Sequence, residues 1–178
     1  MPRPKKRLIT TYADLQNTLN EITKEVLNAV GEEIASILWN NVDTLWYSRP
    51  YNQEYSTRTN EIIDSITNAF PIKINDKTYS VEVFFDETKI QPHASEQFFN
   101  QHMSLDGSTS YEGRAIGSWV IEWMEEGQRS PVHPYAGVHF FKKTVKKVGN
   151  EGSGAITAYL RDFILKEYRK HGIRIHPT

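Results

Sequence analysis

Three carboxylates crowd into five residues of this chain: Glu122, Glu125 and Glu126. Side chains of that type at that spacing can hold a divalent cation, or divide general-acid and general-base work between them. Either chemistry needs a second half, a further ligand or acid brought from elsewhere, and no other stretch of the sequence supplies a recognisable one. A surface or subunit-contact role is the stronger reading for all three. The six histidines are His93, His102, His133, His139, His171 and His176, and none forms an H-E-x-x-H or H-x-H pair. His133 and His139 flank a turn and a helix start, and are read as exposed or locally hydrogen-bonded. Gly149 and Gly154 have the spacing of a phosphate-binding loop, but Ala155 and Ile156 follow where a lysine and a hydroxyl are needed. A flexible linker accounts better for those glycines. There is no G-x-S-x-G elbow, and the absence of cysteine removes disulfides, thiolate–zinc sites, iron–sulfur clusters and thiol nucleophiles. The residues therefore point to no catalytic group, no bound metal, no cofactor and no enzyme.

A chain of 178 residues is expected to form one domain, and 38% hydrophobic residues can build its core. No apolar run approaches the ~18 residues of a membrane span, so no membrane partner is expected. The opening MPRPKKRLITTY is basic without an apolar stretch, unlike a secretory signal, and synthesis in a cytoplasm is expected. The net charge of −1 conceals a partition. Residues 1–7 carry four cations and no acid. Residues 8–139 hold 8 basic against 19 acidic side chains, and residues 140–178 hold 9 against 3. An acidic body with basic ends suits head-to-tail contacts in an assembly, or nucleic acid touching the ends, or only a solvated helix face and a solubilising tail. On the assembly reading the contact residues are Glu122, Glu125 and Glu126 on the body, and Arg161, Lys166, Arg169 and Lys170 on the last helix.

These residues need elements to position them. Residues 1–11 are expected to be a flexible basic arm. Thr10 or Thr11 can cap a helix with Asp14 in its first turn. Leu15, Leu19, Ile22, Val26, Val30, Ile34, Ile37 and Asn41 then mark one stripe of a helix over residues 12–41, about 45 Å long. Residues 44–56 read as a loop. Thr59 opens a second helix burying Ile62, Ile63, Ile66 and Phe70, which Pro71 ends. Residues 72–74 and 78–86 form a hairpin, with Tyr79, Val81, Val83 and Phe85 on one face. Residues 87–115 are an excursion with a short helix near residues 95–102, expected to order only against partners. Residues 119–124 read as a strand with Glu122 in its middle. A helix follows over 135–148, and residues 149–152 are a break. Ser153 caps a final helix burying Ile156, Leu160, Phe163 and Ile164, closed by Gly172 in the left-handed position after it. The expected fold is α+β, with a long N-terminal helix and shorter helices packed on a small, mainly antiparallel sheet. The body spans 12–148, and 149–178 are the C-terminal helix and tail.

Three pieces in order resemble the phage tail-component family, the neck and tail-completion proteins of lambda-like long-tailed bacteriophages. The first is a long amphipathic helix leading into T-x-x-[LI]-x-x-S-I, here Thr59, Ile62, Ser65 and Ile66, with Asn60 where the family usually has Gly. The second is the family's strand closing on an acid, a bulky residue and Gly, for which Trp119-Val120-Ile121-Glu122-Trp123 stands in and Gly127 arrives late. The third is a Pro-aromatic helix start, here His133-Pro134-Tyr135 with Val138 and Phe141, and without the second proline. The likeness covers about residues 14–148. It implies an α+β structural protein without enzymatic activity. Such a protein works in the virion as a homo-oligomeric ring that completes the tail or joins it to the head. The implied partners are its own copies and other neck, portal-proximal and tail-tube proteins, with the DNA passing through the lumen as a further candidate. Two alternatives stay open. One is a small metal-dependent nucleic-acid-processing enzyme using the cluster near Glu122 and Glu126. The other is a nucleic-acid-binding protein with a basic arm.

Overall fold

The computed structural model describes residues 11–49, 60–75, 78–90, 110–111, 114–128, 135–149 and 155–175. Helix α1 runs Tyr12–Val42 and starts on a reciprocal cap. The Thr11 hydroxyl accepts from the Asp14 N–H at 3.1 Å, and the Asp14 carboxylate accepts from the Thr11 N–H at 3.2 Å. The winding continues into a π-helical turn, Asp43–Tyr47, where a loop was expected. Leu45, Trp46 and Tyr47 lie against the main core there, and that burial outweighs the poorer geometry of the wide turn.

The second helix is much shorter than its stripe implied. Helix α2 is only Glu61–Asp64, and the chain then turns into strand β1, Ile66–Asn68. Ser65 makes the corner. It is fully buried, its hydroxyl donates to the Ile62 carbonyl at 2.7 Å, and its own carbonyl accepts from the Asp86 N–H at 2.7 Å. β-branched Ile66 and Thr67 then pair with Phe85 and Phe84 of β4, Val83–Phe85. Phe70, expected inside, is 86% exposed. The hairpin is also divided. β2 (Ile72–Asn75) pairs with β3 (Thr78–Ser80), and the chain then leaves it so that β4 can join β1. The expected alternation holds, with Phe85 buried and Glu82 and Phe84 exposed. Behind this sheet Gly31 of α1 is buried. A Cβ there would lie 2.7 Å from Val81 Cγ2, so the glycine lets the strands come close to the helix.

After a short 3₁₀ turn, Glu87–Lys89, Ile90 enters the core. The expected helix near residues 95–102, Ser153 and most of the excursion lie outside the described residues. β5 (Ser110–Tyr111) pairs with β6 (Arg114–Ala115). Residues 116–126 form helix α3, Ile116–Glu126, and this corrects the strand expected over 119–124. Val, Ile and Trp favour strands locally, but a strand would set Glu122 on the same face as Met124, which is 1% exposed. At helical spacing Ile121 and Met124 go into the core together and Glu122 faces out. β7 (Gly127–Gln128) pairs with β8 (Tyr135–Ala136). Helix α4 is Phe140–Val148, starting later than expected because the chain is still in β8 at residues 135–136. Helix α5 is Ala158–Lys170, capped by Thr157 in place of Ser153. It ends with Gly172 at φ +79° and the Ile173 N–H on the Tyr168 carbonyl, as its closing glycine led one to expect.

The fold is α+β: a long first helix carries shorter helices and small antiparallel strand pairs. Its main core gathers Leu38, Val42, Ile63, Phe85, Met124 and Phe140, with Phe85 edge-on to Phe140 and Phe141. A second cluster joins Val26 and Val30 of α1 to Leu160 of α5. Among the described residues no helix is long and apolar enough to cross a membrane.

Candidate functional site

The three glutamates are brought to one end of one helix. In α3, positions 122, 125 and 126 stand three and four residues apart and so share a face. Two of them sit at the helix C-terminus, where the peptide dipole disfavours negative charge and the last turn itself holds no basic side chain. The chain resolves this by placing the start of α4 against the end of α3. Residue 139 is the N-cap of α4, yet it is a histidine whose side chain caps nothing. The cap comes from Glu125. Its Oε2 accepts from the Phe141 N–H at 2.9 Å and its Oε1 from the Lys142 N–H at 3.1 Å. These are amides of the first turn, which have no partner inside the helix.

The joint is rigid. The Val138 N–H donates to the Met124 carbonyl at 2.8 Å, and the His139 N–H to the Glu125 carbonyl at 3.2 Å. A Cβ on Gly137 would lie 2.2 Å from the Glu125 carbonyl oxygen and 2.6 Å from the Glu126 carbonyl carbon. His139 is held at φ 55°, ψ 41°, the one non-glycine with positive φ among the described residues. The result is a corner where Glu125, Glu126 and His139 bring ligand atoms within 4.8 Å of one another. Two carboxylates and an imidazole could together meet a divalent cation. Both Glu125 oxygens already serve the amides of α4, and Glu126 and His139 are exposed. The arrangement is first a structural joint. Glu122 is exposed and is not part of this trio.

The basic candidates lie elsewhere. Arg161, Lys166, Arg169 and Lys170 are all exposed on α5. Lys170 Nζ is 2.6 Å from the carboxylate of buried Glu167, so its charge is spent within the helix. Helix α5 is fixed along α1 by contacts at both ends. The Tyr159 hydroxyl donates to the Glu33 carboxylate, and Tyr168 bonds Thr23 at 3.2 Å. His171 Nδ1 lies 3.5 Å from the Glu25 carboxylate. The bond to Glu33 holds the Tyr159 phenol above its ordinary pKa, because ionisation would set two negative oxygens together.

The larger basic feature was not among the candidates. Helix α4 carries Lys142, Lys143, Lys146 and Lys147, all exposed, and no acid. Its other side, Phe140, Phe141 and Thr144, faces the body, and Thr144 accepts from Asn41 of α1 at 2.9 Å. The paired-lysine spacing of one helical turn is the signal in the sequence that marks this face. At the C-terminal end of α4 the Thr157 hydroxyl donates to the Lys147 carbonyl at 2.8 Å and caps α5, joining the two helices directly.

Compared with known proteins, the chain matches no family model, no curated protein and no solved structure.

Proposed function

We propose that this chain is a structural protein of a phage neck, built into a ring that completes the tail or joins it to the head. The observation that carries the reading is an apolar helix face left partly open among the described residues. The apolar stripe of α1 continues through Tyr12, Leu15 and Leu19, which are 80%, 40% and 41% exposed, on the N-terminal side of Ile22, the first α1 residue of the Val26–Val30 cluster. A second exposed apolar patch, Phe70, Ile72 and Ile74, marks β2 and the turn before it. A ring of identical subunits needs two unlike patches that meet head to tail, and a domain of this size rarely leaves such side chains uncovered without a partner. The ordered motifs add support at two joints. Ile62, Ser65 and Ile66 form the buried corner between α2 and β1, and Val138 and Phe141 flank the start of α4. The middle motif weighs less, because its residues are helical in this chain. The partners in this reading are its own copies and adjacent neck, portal-proximal and tail-tube proteins.

Particles assembled without this protein test the reading. Unjoined heads and tails, or tails with defective ends, are the expected images by negative stain. Normally joined virions would sink it. The metal-dependent enzyme has less behind it, since the one carboxylate–histidine corner among the described residues is occupied as a helix cap.

A further inference from the structure

We propose that the outward ridge of α4, continued by α5, binds the phosphate backbone of duplex DNA without reading its sequence. This stands on the geometry of the ridge and holds whether or not the neck assignment does. Helix α4 starts with Phe140 in the core beside Leu38 and Val42, its middle residue Thr144 is bonded to Asn41, and its last residue Val148 reaches the Val26–Val30 cluster. Helix α5 begins beside Glu33 and passes Thr23 near its end. Both helices therefore lie in succession along α1 and antiparallel to it, a row of about 33 Å for 22 helical residues.

The solvent side of that row is nearly of one sign. Lys142 and Lys143 form one rung and Lys146 and Lys147 the next, about 6 Å along the axis. Among the described residues no carboxylate side chain pairs with any of these four lysines. Lys147 alone is steadied, 5.3 Å from the centre of the Tyr159 ring. Arg161, Lys166 and Arg169 extend the row on α5, against a single exposed acid, Asp162. Four unpaired like charges within three turns repel one another, and a polyanion relieves that repulsion. Duplex DNA carries one charge per about 1.7 Å of axis, so several phosphates fall opposite a row this long.

The side chains also indicate the mode of contact. Lysines are compact, hydrated point charges suited to phosphates, and of the base edges only guanine is open to them, while adenine is read by Asn or Gln. The solvent face of α4 has no Arg, Asn or Gln, and the two arginines of the row, Arg161 and Arg169, stand on α5. An acidic face on a second copy is the competing occupant. It fits less well, because the exposed acids of α1 are interrupted by Lys24 and partly engaged, Glu25 with His171 and Glu32 with Asn28, and of the three glutamates on α3 Glu125 already caps α4.

The test is fluorescence anisotropy of the full chain with a mixed-sequence DNA duplex across a salt series. Comparison variants replace Lys142, Lys143, Lys146 and Lys147 with Gln, or Arg3, Lys5, Lys6 and Arg7 with Gln. The four α4 lysines at one phosphate each contribute about −3.6 to the log–log salt slope, a loss of about 150-fold between 50 and 200 mM salt, and the α5 cations add to it. The ridge variant is expected to lower that slope by about one per lysine, while the arm variant keeps most of the binding. No binding by the native chain at 50 mM salt overturns the proposal, and so does binding that the ridge variant retains and the arm variant loses. Self-association lost in the ridge variant, with no DNA binding by either protein, assigns the ridge to a second copy instead. If the fourfold variant does not fold, the pair Lys142→Gln and Lys146→Gln carries the same comparison, with a change of about two in slope expected.

Discussion

Replacing Glu125 by Ala removes the only side chain among the described residues that caps the start of α4. Two charge-assisted bonds go, to the Phe141 and Lys142 amides, together with a negative charge at the positive end of the helix. A lost helix cap costs about 1 kcal/mol, and a charge near a helix N-terminus adds about 0.3–1 kcal/mol. Glu125 is only half-buried, so water can partly replace it at the freed amides and the lower end of the charged-bond range applies. The sum is about 2 kcal/mol. In a domain of this length that lowers Tm by about 4–8 °C. Thermal unfolding followed by circular dichroism measures it, with Glu126→Ala as the control, because Glu126 is exposed and both amides donate to Glu125. Glu125→Gln keeps one acceptor without the charge and should fall between the two. Hydrogen exchange at the Phe141 and Lys142 amides should speed up in Glu125→Ala. If Glu125→Ala and Glu126→Ala melt together, the α3–α4 joint is not held by this carboxylate and the reasoning fails.

Gly137→Ala should be more damaging than either, about 3 kcal/mol or more, since the new methyl meets backbone that cannot swing aside; a soluble variant with native Tm would refute the close approach. Leu160→Ala should cost about 2–4 kcal/mol by opening the Val26–Val30 cluster, while Ile156→Ala, at 47% exposed, should change urea stability little. The Tyr159 phenol should titrate above 10 by ultraviolet difference spectroscopy and return towards its ordinary value in Glu33→Gln. Because its folded pKa is raised, the stability it contributes is present below pH 10 and is lost as pH rises through the raised value. Replacing Leu15 and Leu19 with Lys should leave Tm nearly unchanged while abolishing any ring seen by sedimentation, and an intact ring would remove α1 from the interface.

Much of the architecture is written in local pattern. The stripe from Leu15 to Asn41, the Thr11–Asp14 cap, the alternation through Phe85 and the closing Gly172 each follow from neighbours a few residues apart, and the chain obeys them. The partition of charge is likewise a property of composition alone. Local pattern misled where burial was decided by distant residues. Residues 119–124 are rich in strand formers, but only a helix puts Ile121 and Met124 into the core while leaving Glu122 outside. Phe70 lay on the stripe of the second helix, but Ser65 and the pairing of β1 with β4 broke that helix first. The candidate site divides the same way. Glu125 and Glu126 were legible as neighbours, and His139 was legible as a lone histidine. Their convergence was not, because it depends on Gly137 letting two backbones meet and on a helix that takes its cap from another helix. The paired lysines of α4 stood in plain view, but only the seating of α4 and α5 end to end on α1 turns them into one ridge. Local sequence sets which conformations are cheap for a segment; which one it keeps is set by what it can bury, and that is known only once the whole chain is packed.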